Sequence, residues 1–314
     1  MKSESEREHG EVGVSEEGEA FHTGEDLSEV HRVGIIGGGT MGRGIAAFMA
    51  QAGIEVVLCE LDQGLAEAAL TKIAEHFDYE ISRWALTEGD KRALMKRIAS
   101  TANLQELAAL PIVIEAIPED LSLKVSLFKR LSQICPTSTL FVTNTSTLSI
   151  TAMGRHISHP RRFIGAHFLN PVTRVKLVEL VRGLETSGET YQEIRGFLIR
   201  LGKTPIEVYE YPGYVTTRVI LPMISEAMHV VMEGVASAED VDIAMKLGYN
   251  MEIGPLALAD RMGLDEVMKW MDYLFRELGD LKYRPCPILR KKVREGDLGV
   301  KTGRGFFEYH GKSD

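Results

Sequence analysis

The chain has 314 residues, of which 44 % are hydrophobic and 26 % charged, and a net charge of −9. This length fits two domains of ordinary size, and the apolar fraction excludes global disorder. Most of the charge is local: residues 1–29 hold ten acids against Lys2 and Arg7, and the remainder is almost neutral.

Neither part is a basic footprint, which sets nucleic acid aside as a partner. Cys59, Cys135 and Cys286 are odd in number and widely spaced, with no CxxC. They suggest neither a disulfide framework nor a metal site, and they favour a reducing compartment. No apolar run reaches about 18 residues, so no membrane span is expected. The N-terminus lacks the apolar region of a signal peptide and is too acidic for a mitochondrial transit peptide. The expectation is a cytoplasmic protein with a disordered acidic tail over 1–29.

In chain order, Val33-Gly-Ile-Ile36 reads as a short buried strand, followed by Gly37-Gly-Gly-Thr-Met-Gly42 and a helix through Ile45, Phe48, Met49 and Ala52. Val56–Glu60 is a second buried strand, completing a βαβ-sized unit. Residues 63–97 are mostly helical, with Gly89 as the expected break. Ile112–Ile117 is a strand, 120–133 a helix and Thr139–Thr143 a strand. Phe163–Leu169 and Val175–Val181 are two more strands. A helix over 189–201 leads to a last strand, Pro205–Tyr209. Strands alternating with helices predict a doubly wound α/β domain. Beyond Pro212-Gly213 the β signal stops, and 214–234, 237–247, 255–277 and 286–295 read as helices. Pro222 is expected to kink or interrupt the first of these.

Three features carry chemistry. Gly37-x-Gly39-x-x-Gly42 lies between a strand and a helix, and the acid Glu60 ends the next strand. A dinucleotide needs this arrangement. Gly37 permits the tight turn, and Gly39 lets backbone N–H groups approach a pyrophosphate. Gly42 lets the helix pack on the sheet, and Glu60 accepts ribose hydroxyls while repelling a 2′-phosphate. NAD is thereby favoured over NADP, with Thr40 and Met41 opening the helix. The other reading is a tight glycine turn with a solvated acid.

Strand alternation puts His167 on a face with Phe163 and Gly165, and Glu179 on a face with Val175, Leu177 and Val181. A glutamate on an apolar face needs a partner, because a broken buried pair costs about 3–5 kcal/mol. His167 on an adjacent strand can be that partner, giving a general base with an orienting carboxylate. A core histidine beside a structural glutamate is the alternative. Asn144-Thr-Ser146-Thr147 follows a strand at the carboxyl edge of the sheet, where ligands sit; it also fits a helix N-cap. No GxSxG elbow indicates a serine hydrolase, and no HxxxH or Cys/His cluster indicates a metal.

The glycine loop, Asn144-Thr-Ser146, His167-Phe-Leu-Asn170-Pro171, Lys176-Leu-Val-Glu179, Pro212-Gly-Tyr214, Gly254-Pro-Leu-Ala-Leu-Ala-Asp260 and Lys301-Thr-Gly-Arg-Gly-Phe306 occur in this order. Together they resemble the L-3-hydroxyacyl-CoA dehydrogenases, most of all the short-chain bacterial 3-hydroxybutyryl-CoA dehydrogenases, over about residues 30–310. The resemblance implies a Rossmann-like NAD-binding domain (30–211) and a helical C-terminal domain (212–314) that forms a homodimer interface. It implies NAD-linked oxidation of a short-chain L-3-hydroxyacyl-CoA to the 3-ketoacyl-CoA, and the reverse. His167 matches the catalytic base, Glu179 its partner and Ser146 the serine that binds substrate beside the nicotinamide. Glu119, Lys124, Asn170 and Lys301 match NAD-contacting positions, and Asn144 and Pro171 match supports of the site loops.

Two departures stand out. Thr217 occupies the position of a family Asn that helps bind substrate. The helix contacting coenzyme A, lysine-rich in the family, here offers only His76 and Arg83 over Ile73–Leu86, with Phe77, Tyr79 and Trp84. A dehydrogenase of a non-CoA hydroxy acid and a non-catalytic NAD-binding protein are the alternatives.

Overall fold

The computed structural model describes residues 30–309; the acidic segment 1–29 lies outside them. The first half alternates strand and helix: β1 (Arg32–Ile36), α1 (Thr40–Gln51), β2 (Glu55–Cys59), α2 (Gln63–Ser82), α3 (Glu88–Met95), β3 (Ile98–Thr101), β4 (Ile112–Glu115), α4 (Leu121–Ile134), β5 (Leu140–Thr143), α5 (Ile150–Gly154), β6 (Phe163–Phe168), β7 (Leu177–Arg182), α6 (Gly188–Arg200) and β8 (Thr204–Tyr209). Helices alone follow at full length: α7 (Thr216–Met232), α8 (Ala238–Tyr249), α9 (Pro255–Met262), α10 (Leu264–Leu278) and α11 (Pro287–Glu295).

The eight strands form one sheet in the order β3-β2-β1-β4-β5-β6-β7-β8. The first six run parallel, β6 and β7 pair antiparallel, and β8 lies parallel to β7. The reversal follows from chain length. A parallel crossover needs a dozen or more residues, usually including a helix, and only 169–176 separate β6 from β7. The strand order reverses beside β1, between β2 and β4, which places the carboxyl ends of β1 and β4 at a topological switch point.

The central strands are unbroken apolar runs because both faces are covered. On one face Val33, Ile35, Leu58, Ile114 and Val142 pack against Ile45, Met49, Ile73, Phe77 and Phe197 of α1, α2 and α6. On the other, Ile36, Val57, Val113 and Phe141 pack against Phe128, Leu131 and Met153 of α4 and α5. A third core, with Leu221, Ile224, Leu256, Val267, Met271 and Leu274, holds the helices together.

The structure corrects several expected elements. The break between α2 and α3 is Arg83–Thr87, where Trp84 takes φ +61°, and not Gly89. Gly89 sits in the first turn of α3, which Thr87 and Asp90 close with a capping box. The helix expected over 255–277 is two helices. Gly263 takes φ +92° between them, and a side chain there would meet Asp265 and Lys301. Strand β3 was not anticipated: it is short and at the sheet edge, with only Ile98 and Thr101 buried. Pro222 does not end its helix, since α7 continues through it. Among the described residues no helix is long and apolar enough to cross a membrane.

Candidate active site

The glycine loop opens the site at the carboxyl end of β1. Gly37 takes φ +101°, and a Cβ there would come within 2.6 Å of the Ala116 carbonyl oxygen. At Gly42 a Cβ would lie 1.7 Å from the Gly37 carbonyl oxygen, so helix and turn close up only without a side chain. Gly39 is different: a Cβ there meets no atom within 4 Å. Gly39 caps α1 with no side-chain hydrogen bond and no acid follows in the first turn, which leaves the amides of Thr40, Met41 and Gly42 without intrahelical partners. Such a helix end accepts an anion.

Glu60 closes the loop from β2. Its Oε1 accepts from the Gly38 N–H at 2.5 Å and its Oε2 from the Leu61 N–H at 3.1 Å. Gly38, outside the three-glycine pattern, is as constrained as Gly37, since a Cβ there would press on Ala69 and Glu60. An uncapped helix N-terminus beside a bare turn and a terminal acid fits the pyrophosphate and ribose of a dinucleotide.

His167 and Glu179 stand directly opposite each other in the β6–β7 register. The His167 Nδ1–H donates to Glu179 Oε2 at 2.6 Å, and both side chains are nearly or fully buried. A carboxylate on Nδ1 assigns the proton there and leaves Nε2 as the free basic nitrogen. Glu179 is held from the other side by the start of α7. Its Oε1 accepts from the backbone N–H of Val215 (3.0 Å) and Thr216 (2.8 Å), and its Oε2 from the Thr216 hydroxyl (2.8 Å). Burial pushes this carboxyl up, but the bonds from His167 and Thr216 outweigh it and hold it below the usual range. The residue touching the pair is thus Thr216. Thr217, singled out in the sequence, lies buried one position further on in the first turn of α7. Tyr214, with φ +50°, spans the junction: its ring centroid is 5.9 Å from that of His167, and its hydroxyl donates to the Leu148 carbonyl at 2.9 Å.

Ser146 lies on the loop after β5, organised by Glu119. Glu119 Oε1 accepts from the Thr145 hydroxyl at 2.5 Å, from the backbone N–H of Ser146 (3.0 Å) and Thr147 (3.1 Å), and from the Thr147 hydroxyl (3.0 Å). These residues are not the cap of the next helix; Ser149 caps α5. Asn144 Oδ1 accepts from the Phe168 N–H at 3.0 Å, tying this loop to the end of the His167 strand.

Beneath it lies a buried charge chain. Lys124 and Glu115 are both fully buried and paired at 2.6 Å, and Lys124 reaches Glu119 at 3.4 Å. Glu115 also accepts from the Thr143 hydroxyl (2.5 Å) and the Ile117 N–H (2.7 Å). Burial pushes Glu115 up, whereas Lys124 and the loop hydroxyls hold Glu119 below the usual range against its own burial. Sequence reasoning missed Glu115, although a glutamate in the apolar run Ile112–Ile117 was the same signal that singled out Glu179. Lys124 therefore lies under the loop, and its ammonium is fully covered in this state.

Asn170 is exposed at the end of β6. Lys301 is not part of this cluster: it sits in the helical half, half-exposed and paired with Asp265 at 2.5 Å. On α2, Lys72 pairs with Glu75 and burial lowers the half-buried His76, and Arg83, just after the helix, binds the Tyr79 hydroxyl. Trp84 is almost fully exposed. Among the described residues no group of His, Cys, Asp or Glu could hold a metal ion, and the three cysteines are free and buried.

Family comparison joins these parts. The family model for the 3-hydroxyacyl-CoA dehydrogenase NAD binding domain matches residues 32–211, and that for the C-terminal domain of the same enzymes matches 213–309. The chain belongs to the 3-hydroxyacyl-CoA dehydrogenase family. A protein named probable 3-hydroxybutyryl-CoA dehydrogenase from Bacillus subtilis is 44 % identical over 285 residues, covering 91 % of this chain and 99 % of that protein. The 3-hydroxybutyryl-CoA dehydrogenase of Clostridioides difficile is 39 % identical over 279 residues, covering 89 % of this chain and 99 % of its own length. The crystal structure of (S)-3-hydroxybutyryl-CoA dehydrogenase from Ralstonia eutropha superposes with a TM-score of 0.83 at 43 % identity, covering 90 % of this chain and all of that one. Family membership makes the chain an NAD-dependent oxidoreductase acting on a CH–OH group, with the Rossmann-like sheet and helical C-terminal domain found in 3-hydroxyacyl-CoA dehydrogenases.

Proposed function

We propose that the protein interconverts a short-chain L-3-hydroxyacyl-CoA, such as 3-hydroxybutyryl-CoA, and its 3-ketoacyl-CoA, with His167 as general base and acid. The observation that carries this reading is the buried Nδ1–Oε2 bond between His167 and Glu179 at the junction of sheet and helices. The names of the relatives support the short acyl chain.

Gly37, Gly39, Thr40, Met41, Gly42 and Glu60 would hold NAD, with Glu119, Ser146 and Asn170 as further contacts and Lys124 as support from below. Bound there, the nicotinamide supplies the hydride acceptor for C3. The remaining work belongs to the protein. His167 Nε2 takes the proton of the 3-hydroxyl as the hydride leaves carbon. Glu179 holds Nδ1–H and stabilises the imidazolium that forms. The Ser146 hydroxyl polarises the substrate oxygen, and Glu119 fixes the backbone that carries it. Thr217, beside the Glu179 anchor, tunes the pocket near the reacting end. In the reducing direction each transfer reverses.

The protein is further assigned to the cytoplasm, as a homodimer through the helical domain 212–314. Val219, Ile243, Leu247 and Tyr249 are exposed there, and these apolar side chains support a contact surface on the helical domain. Light scattering on the purified chain checks the oligomer. The activity is tested by NADH consumption over a panel of 3-ketoacyl-CoA thioesters, with acetoacetate as the free-acid control. Turnover should be highest for acetoacetyl-CoA and absent for the free acid. Preference for acetoacetate would indicate a dehydrogenase of free hydroxy acids. NADH binding without turnover on any thioester would indicate a non-catalytic protein.

A further inference from the structure

Lys203, immediately before β8, is buried and has no carboxylate partner among the described residues. Its ammonium donates to the carbonyls of Val172 and Val175, the second at 2.6 Å, and lies 4.0 Å from the centre of the Phe48 ring on α1. A buried charge without a counter-ion is costly, so its retention calls for a role. The charged neighbours are engaged elsewhere or face solvent. On the elements around it, Arg43 of α1 binds the Gly38 carbonyl, and Arg174 of the loop pairs with Glu80. Arg200 and Glu193 of α6 bind the Val30 carbonyl and Arg162, and Glu207 of β8 binds Arg182. Lys176, Glu189 and Arg195 are exposed.

The two carbonyls belong to the connection 169–176, which joins the His167 strand to the Glu179 strand and contains Asn170. Val172 of this loop is buried against Gly44 of α1, where a Cβ would approach it to 3.1 Å. The loop is therefore gripped between the dinucleotide helix and the Lys203 ammonium. We propose that Lys203 is a positioning residue for the cofactor: its charged ammonium clamps the Asn170 loop onto α1, and loss of that charge releases the loop and weakens NAD(H) binding. The inference rests on the assignment of Asn170 to the cofactor site.

The release falls in an accessible range. Burial lowers the Lys203 ammonium to about 8. A neutral amine donates weaker hydrogen bonds and loses its attraction to the ring.

The test is NADH affinity of the full chain by fluorescence titration, from roughly pH 6.5 to 9.5. The wild type should weaken about tenfold across the alkaline limb, the size of the gap between charged and neutral donors to carbonyls. Lys203→Met should bind weakly and without that limb. Phe48→Leu, which removes the ring that favours the charge, should move the limb to lower pH. Asn170→Ala should weaken NADH at every pH and keep the limb. A flat wild-type profile, or a limb surviving in Lys203→Met, overturns the clamp while leaving Asn170 in place. Unchanged NADH affinity in Asn170→Ala instead removes the cofactor assignment and the clamp with it.

Discussion

Replacing Glu179 by Gln isolates what the carboxylate does, because size and shape are kept. The carboxylate accepts four bonds: from His167 Nδ1, from the N–H groups of Val215 and Thr216, and from the Thr216 hydroxyl. An amide oxygen can serve the two backbone donors that share Oε1. The NH2 group then faces His167 Nδ1, a donor against a donor. The imidazole relieves this by moving its proton to Nε2, the nitrogen that has to be free. Two costs follow. One is the charge-assisted bond to the imidazolium, worth roughly 1.5–3 kcal/mol. The other is the population of the wrong tautomer, at least about one further kcal/mol if the new amide bond is an ordinary one. Together they predict a fall in kcat of about 10²–10³ for acetoacetyl-CoA reduction at saturating NADH. The NADH dissociation constant, read by fluorescence, should change by less than about twofold, since Glu179 is far from the glycine loop in the sheet. A Glu179→Gln variant with kcat near that of the wild type, and chemistry rate-limiting, would refute the role of the pair.

Further outcomes follow from the same geometry. With Glu60 at the ribose end of the loop, NADH should be preferred over NADPH by at least about tenfold in kcat/KM, roughly 1.4 kcal/mol; parallel assays with the two cofactors decide it. Lys124→Met strands the Glu115 and Glu119 carboxylates and should cost about 3–5 kcal/mol in urea unfolding. Because Glu179 is held below its ordinary value, its contribution to stability is complete above the unfolded value of 4.5 and is lost as pH falls through the folded one. The stability gap between wild type and Glu179→Gln should therefore narrow between neutral pH and about pH 3.5. Thr217→Asn adds an amide donor and acceptor at this position and should raise kcat/KM for acetoacetyl-CoA by about tenfold, the worth of one hydrogen bond; unchanged kinetics would remove Thr217 from the reaction site.

The sheet was legible because its central strands are buried on both faces and read as apolar runs bounded by turns. Strand β3 was not, since an edge strand with alternate residues in solvent leaves little apolar signal in Ile98–Thr101. The helix break at Gly263 was visible only as one more glycine; what makes it a break is its left-handed backbone and the packing of Lys301 and Asp265 around it. In the site, a lone glutamate on an apolar strand pointed to a buried partner, and the register of β6 and β7 supplied His167. The same argument applied to Glu115 and would have led to Lys124. Thr216 and Lys203 carried no such signal. Their partners are backbone groups and a carboxylate brought together by the fold, which no spacing along the chain encodes.

The central claim is that His167 moves the substrate proton, and the direct measurement is kcat for NADH-dependent reduction of acetoacetyl-CoA by the wild type and by His167→Gln. The account predicts a loss of about 10²–10⁴, the range for general acid–base catalysis, with NADH affinity nearly unchanged. A variant that turns over at the wild-type rate with chemistry rate-limiting would contradict it.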